Sequence, residues 1–212
     1  MPCERHVIVC EGESEWTYLQ RLQSFVDAQP LAAGQFEPPL SFIAPERVNV
    51  KNGSYTQLKR RYNETRAQNK RSSIHVWADF DLYHRNDNKC AELYAAKTGG
   101  IPDFKFSYHN FEDFFALHHD GEKFLAWRAF GAKGHFTVPL HAEGYLPEIR
   151  QIFTDYGKGE LAPNFVNWQS LQNLKNNLQH RPKSNPLNLG GLGNFGAFLI
   201  GKMDTAYPGK LV

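Results

Sequence analysis

The chain has 212 residues, 41% of them hydrophobic and 22% charged, and a formal net charge of +2. That is enough apolar material for one α/β domain with an insertion or extension, and it excludes disorder in bulk. The charge is too small to attract nucleic acid by a global field, so any such affinity must come from local basic patches.

The apolar stretch Val7 to Cys10 is too short for a signal-peptide core, and Glu4 stands where a positive region is expected. No run approaches the length of a membrane span, and the expected location is the cytoplasm. Cys3, Cys10 and Cys90 show neither Cys-x-x-Cys nor Cys/His spacing, which argues against a disulfide framework and a structural zinc site. Cys10 is expected to be a small buried residue of a strand.

In chain order, His6 to Cys10 reads as a strand ending at Glu11-Gly12. Trp16, Leu19, Leu22 and Val26 follow at helical spacing, with Ser14 the expected cap. Residues 30 to 40 read as a loop, Leu40 to Pro45 as a second strand, and Asn49 to Ser54 as a turn. Tyr55 to Lys70 reads as a polar helix, and Ser73 to Ala78 as a strand ending at Asp79-Phe80-Asp81. A short helix is expected over Asp87 to Lys97, a strand over Phe104 to Tyr108, and a helix from Phe111 or Glu112. Helices are expected near 121 to 130 and 145 to 156, then from Phe165 to His180. Residues 181 to 194 read as a loop before a last helix, Phe195 to Met203. Trp127, Phe130 and Phe136 are expected in the core. Alternating strands and helices over the first 110 residues predict a mostly parallel sheet flanked by helices, whose ligands gather at the strands' carboxyl ends. Both acidic motifs fall there.

Carboxylates gathered in one place repel one another, and a divalent cation removes that cost. Asp79 and Asp81 at one strand end, with Glu11 and Glu15 after another, are therefore candidate ligands of Mg²⁺ or Mn²⁺. Acidic residues are also favoured at helix N-termini by the helix dipole, which is the competing account of Glu13 and Glu15. Lys59 and Arg60 on the polar helix, and Tyr83, His84, Arg85 and Lys89 after the Asp-x-Asp turn, are candidate contacts to phosphates and bases. A solvated helix face is the competing account of the first two. Gly190 to Gly193 lack the Gly-Lys-Ser/Thr ending of a phosphate loop, and no Walker motif is present.

The segment VIVCEGESEWTYLQRL resembles the opening of TOPRIM domains, and WADFD resembles their Asp-x-Asp strand. Asn110-Phe-Glu-Asp-Phe-Phe-Ala-Leu-His118 is similar to a third block of the RloB-like family, which is TOPRIM-related. The resemblance covers roughly residues 6 to 120. It implies a Rossmannoid core over residues 1–120, with residues 121–212 a mainly helical extension packed on it as one compact unit. It further implies a nuclease of anti-phage defence working with a separately encoded ATPase. Glu11, Asp79, Asp81 and Glu112 would then be catalytic, Glu11, Glu15, Asp79 and Asp81 would bind metal, and His118 would support them. The family's proline after Asn110 is absent here, Phe114 replaces its tryptophan, and the last third of the chain resembles nothing. A TOPRIM-like subunit that binds nucleic acid or an ATPase without cutting is the alternative. A homo-oligomer stays open.

Overall fold

A computed structural model of the protein describes residues 2–45, 55–79, 104–107, 110–132, 146–180 and 193–212. The expected turn at 49 to 54, the helix over Asp87 to Lys97, Cys90, Phe136 and residues 190 to 192 lie outside the described residues. Five strands form one sheet: β1 (Glu4–Cys10), β2 (Leu40–Ile43), β3 (Ser73–Asp79), β4 (Phe104–Ser107) and β5 (Gly193–Asn194). Their order is β2-β1-β3-β4-β5, and every pairing is parallel. Seven helices are described: α1 (Glu13–Asp27), α2 (Tyr55–Gln68), α3 (Phe111–Ala116), α4 (Gly121–Phe130), α5 (Leu146–Ile152), α6 (Trp168–Leu178) and α7 (Phe195–Ala206).

The central strands are buried on both faces. In β1, Val7 through Cys10 are all shielded from solvent, as are Ile74 through Ala78 in β3. Such near-continuous apolar runs, broken in β3 only by the buried His75, are what a sheet covered on both sides requires. Strand side chains alternate between faces, so the two sets separate cleanly. Ile8, Cys10 and Trp77 join one cluster with Tyr18, Leu19, Leu22 and Val26 of α1, Phe111, Phe114 and Phe115 of α3, and Phe195 and Leu199 of α7. The alternate set, Val7, Val9, Ile74 and Val76, faces α2, which packs across β1 and β3 and buries Leu58 and Tyr62. At the centre of the first face Trp77 stacks on Phe195, with centroids 3.8 Å apart and planes at 8°. Its indole N–H donates to Ser107 Oγ at 2.9 Å, which satisfies the polar handle of a fully buried tryptophan.

Several expectations need correction. Gly12, not Ser14, is the N-cap of α1, and no side chain caps that end; Ser14 lies inside the first turn. The strand β2 stops at Ile43, before Pro45. The helix expected from Phe165 starts at Trp168, because Asn167 and Ser170 form a reciprocal capping box. The helix expected over 145 to 156 ends at Ile152. The largest difference is β5: Gly193 and Asn194, expected in a loop, extend the sheet beside β4 in register with Lys105 and Phe106. Two residues are too few to show alternation, so no periodicity marks them as a strand. The described residues beyond 120 are otherwise helical, apart from turns. Cys10 is buried as expected, and Trp127 is fully buried while Phe130 is partly so. No helix among the described residues is long and apolar enough to cross a membrane.

Candidate active site

From β1 the chain moves outward to β2, then returns past β1 to β3 on its other side. The direction of winding therefore reverses between β1 and β3. In open parallel sheets a crevice opens there at the carboxyl ends of the strands, and ligands bind in it. Cys10 and Trp77 are register partners, so Glu11 leaves β1 beside Ala78, one residue before Asp79 at the end of β3.

Their contact is direct although they are 68 residues apart. The Asp79 backbone N–H donates to Glu11 Oε2 at 3.2 Å, and the Glu11 N–H donates to the Trp77 carbonyl at 3.2 Å. Glu15 joins them from the first turn of α1, where it is buried. The side chain of Asp79 lies close enough to favour the charged form of Glu15. Burial, reinforced by the nearby charge of Glu112, pushes Glu15 up to about 7, against the opposing effect of hydrogen bonds from Asp79 and from the backbone of Gly12 and Glu15 itself. Gly12 gives this carboxyl group its place: a Cβ there would come within 2.6 Å of Glu15 Oε2.

Glu112 arrives from the first turn of α3. Asn110 caps that helix, its side chain accepting the Asp113 N–H at 3.0 Å. The cap fixes which way the turn faces. Asp113 points into the core, where its Oδ1 accepts the Trp127 indole N–H at 2.9 Å, while Glu112 Oε1 accepts the Tyr156 hydroxyl at 2.7 Å. Burial raises the Glu112 pKa, and the Tyr156 hydrogen bond and the positive charge of Lys158 oppose that rise. Four acids of the sequence reading, Glu11, Glu15, Asp79 and Glu112, thus share one neighbourhood. Asp81, Tyr83, His84, Arg85 and Lys89 lie outside the described residues.

His118 sits elsewhere. Its Nδ1 lies 2.9 Å from the Phe114 carbonyl, to which it donates. Its Nε2, 2.8 Å from the Tyr18 hydroxyl, is then the acceptor of a neutral ring. Both nitrogens are used inside the core, and burial pushes the pKa down to about 3. Lys59 and Arg60 lie on α2, across the sheet from the α1 and α3 cluster. Arg60 forms an exposed pair with Glu64 at 3.1 Å, a contact worth at most about 1 kcal/mol.

Tyr156 and Lys158 escaped the sequence reading. The only local signal is a lysine between two glycines, Gly157 and Gly159, and nothing in it points to a glutamate 44 residues earlier. No family model, curated protein or solved structure matches the chain.

The donor set is entirely carboxylate oxygen, which suits a hard cation such as Mg²⁺ and not zinc. Among the described residues no group of three or more His, Cys, Asp or Glu is arranged to hold a metal ion. Mg²⁺ needs only one or two protein carboxylates, its remaining positions going to water and phosphate. A cation beside Glu15 would offset the burial and the Glu112 charge that oppose its ionisation. The carboxylate chemistry suits such an ion, while the described residues alone do not form a ligand set for it.

Proposed function

We propose that this protein is a TOPRIM-like, metal-dependent nuclease hydrolysing nucleic-acid phosphodiesters. The reading is carried by the meeting of Glu11, Glu15, Asp79 and Glu112 at the carboxyl edge of a parallel sheet, where winding reverses. Burying several carboxyl groups in one crevice is costly for stability. Such an arrangement is characteristic of sites that need the charge for chemistry.

Asp79 would hold Mg²⁺ or Mn²⁺ together with Glu11, Glu15 and Asp81. The bound ion supplies charge neutralisation at the phosphoryl group and a more acidic water. Glu11, held against the Asp79 backbone, orients that edge of the site. Glu15 would hold the ion in its carboxylate form, its proton passing to solvent, and the ion would offset the burial that raises its pKa. Glu112, bonded by Tyr156, would be the carboxylate that accepts a proton from an attacking water. Among the described residues no side chain is arranged as a covalent nucleophile. The resemblance to RloB-like proteins extends the proposal to a role in anti-phage defence with a separate ATPase partner.

The test is cleavage of tRNA, single-stranded DNA and duplex DNA by purified protein with Mn²⁺. Wild type should cut at least one of them, and Asp79→Ala combined with Asp81→Ala should abolish that. Full activity in the double variant would refute the enzyme reading. Binding without cutting by wild type would favour a non-catalytic nucleic-acid-binding subunit.

A further inference from the structure

Residues 153–161 lead from α5 toward α6 and reach the acidic cluster through Tyr156, whose hydroxyl donates to Glu112. Gly157 and Glu160 form an antiparallel bridge, with the Glu160 N–H donating to the Gly157 carbonyl at 3.0 Å. Lys158 and Gly159 occupy the tip, and Gly159 adopts a φ of 76°, a conformation that favours glycine. The turn is fixed to α1 by two long-range contacts. Thr17 Oγ1 donates to the Gly159 carbonyl at 3.0 Å, and Arg21 Nε donates to the Leu161 carbonyl at 3.2 Å. The fit is close: a Cβ on Gly159 would meet Glu13 Cγ at 3.1 Å. Tyr156, at the root of the turn, reaches inward to Glu112. An exposed lysine is thereby carried on an anchored turn two residues from the tyrosine that bonds Glu112.

We infer that this turn belongs to the active site, with Lys158 the cation that receives a phosphate of the nucleic acid and Tyr156 a positioning residue for Glu112. The inference rests on the nuclease reading and adds to it the group that binds substrate. An anion approaching a cluster of carboxylates is repelled unless a fixed positive group stands at the entrance. Lys158 fills that role from a backbone that cannot swing away. The influence of its charge on Glu112 is consistent with this position.

The experiment measures binding of labelled single-stranded RNA, single-stranded DNA and duplex DNA to the Asp79→Asn protein over a range of salt. Cleavage kinetics of otherwise wild-type protein are followed in parallel. Lys158→Gln should weaken binding about tenfold, the size of one charge-assisted contact. It should also reduce the slope of log affinity against log salt by about 0.7 to 0.9. KM should rise with kcat nearly unchanged, and Lys158→Arg should restore most of the affinity. Tyr156→Phe should do the opposite, lowering kcat with KM and the salt slope unchanged. If wild type binds and cuts while Lys158→Gln leaves affinity, slope and KM intact, the inference fails and the nuclease reading stands. If wild type neither binds nor cuts any of the three substrates, both fall.

Discussion

At the scale of single residues, the Glu-Gly pair after β1 has a physical explanation. Gly12 has an extended backbone with φ −127°, so alanine is conformationally permitted there. What excludes a side chain is the carboxyl group of Glu15, folded back over the same atoms. Gly12→Ala should therefore separate stability from activity. Restricting the unfolded chain should leave stability unchanged or raise it by about 0.4 to 1 kcal/mol. Displacing Glu15 by about an ångström should reduce turnover on the order of a hundredfold. Thermal unfolding and single-turnover cleavage would check the two halves, and wild-type turnover would show that Glu15 needs no fixed place. Glu11 and Asp79 were legible as acids at the ends of largely apolar strands, and Glu15 as an acid opening the periodic helix that follows the first of them. Tyr156 and Lys158 were not. Their neighbours in sequence are turn residues, and their partner Glu112 is reached only through tertiary packing.

At the scale of elements, boundaries follow caps more closely than hydrophobic pattern. The helix α6 starts at Trp168 although Phe165 and Val166 are also buried. The capping box decides it: Asn167 Oδ1 accepts the Ser170 N–H at 2.9 Å, and Ser170 Oγ accepts the Asn167 N–H at 3.0 Å. Replacing Asn167 with alanine should cost about 1 kcal/mol and lower Tm by about 2 to 4 °C. Calorimetry would test this, and an unchanged midpoint would assign the helix start to packing alone. The reading of β5 failed for a related reason. A two-residue strand at a sheet edge is defined by its partner's backbone, and its own residues, Gly193 and Asn194, are ordinary turn formers. The central strands were easier to find because burial on both faces leaves runs that are almost wholly apolar, Val7 to Cys10 and Ile74 to Ala78 apart from His75.

At the scale of the whole molecule, the buried histidine gives stability a pH dependence. His118 titrates near 3 when folded, well below its ordinary 6.5. Below that ordinary value the unfolded chain binds a proton that the folded chain does not, so stability falls with acidification from about pH 6.5 toward 3. Glu15 acts in the opposite sense between 4.5 and about 7, because its folded form holds the extra proton. The histidine contribution therefore appears in a comparison of variants. Relative to wild type, His118→Gln should flatten the rise of stability with pH by about 1.4 kcal/mol per unit between about pH 4 and 6. Denaturant unfolding in metal-free buffer reads it directly. Parallel stability curves for the two proteins would mean that His118 is already charged in the fold.

Strand order also has a consequence for synthesis. The segment that covers the outer side of β4, and the phenylalanine that lies flat on Trp77, both come from residues 193–195. A ribosome delivers them only after nearly all the rest of the sheet has emerged. Until then the nascent chain carries an open hydrogen-bonding rim and an uncovered indole, the features that invite misassembly between neighbouring polypeptides. Protection of the half-made protein thus depends on how soon residues 193–195 follow the earlier strands out of the exit tunnel.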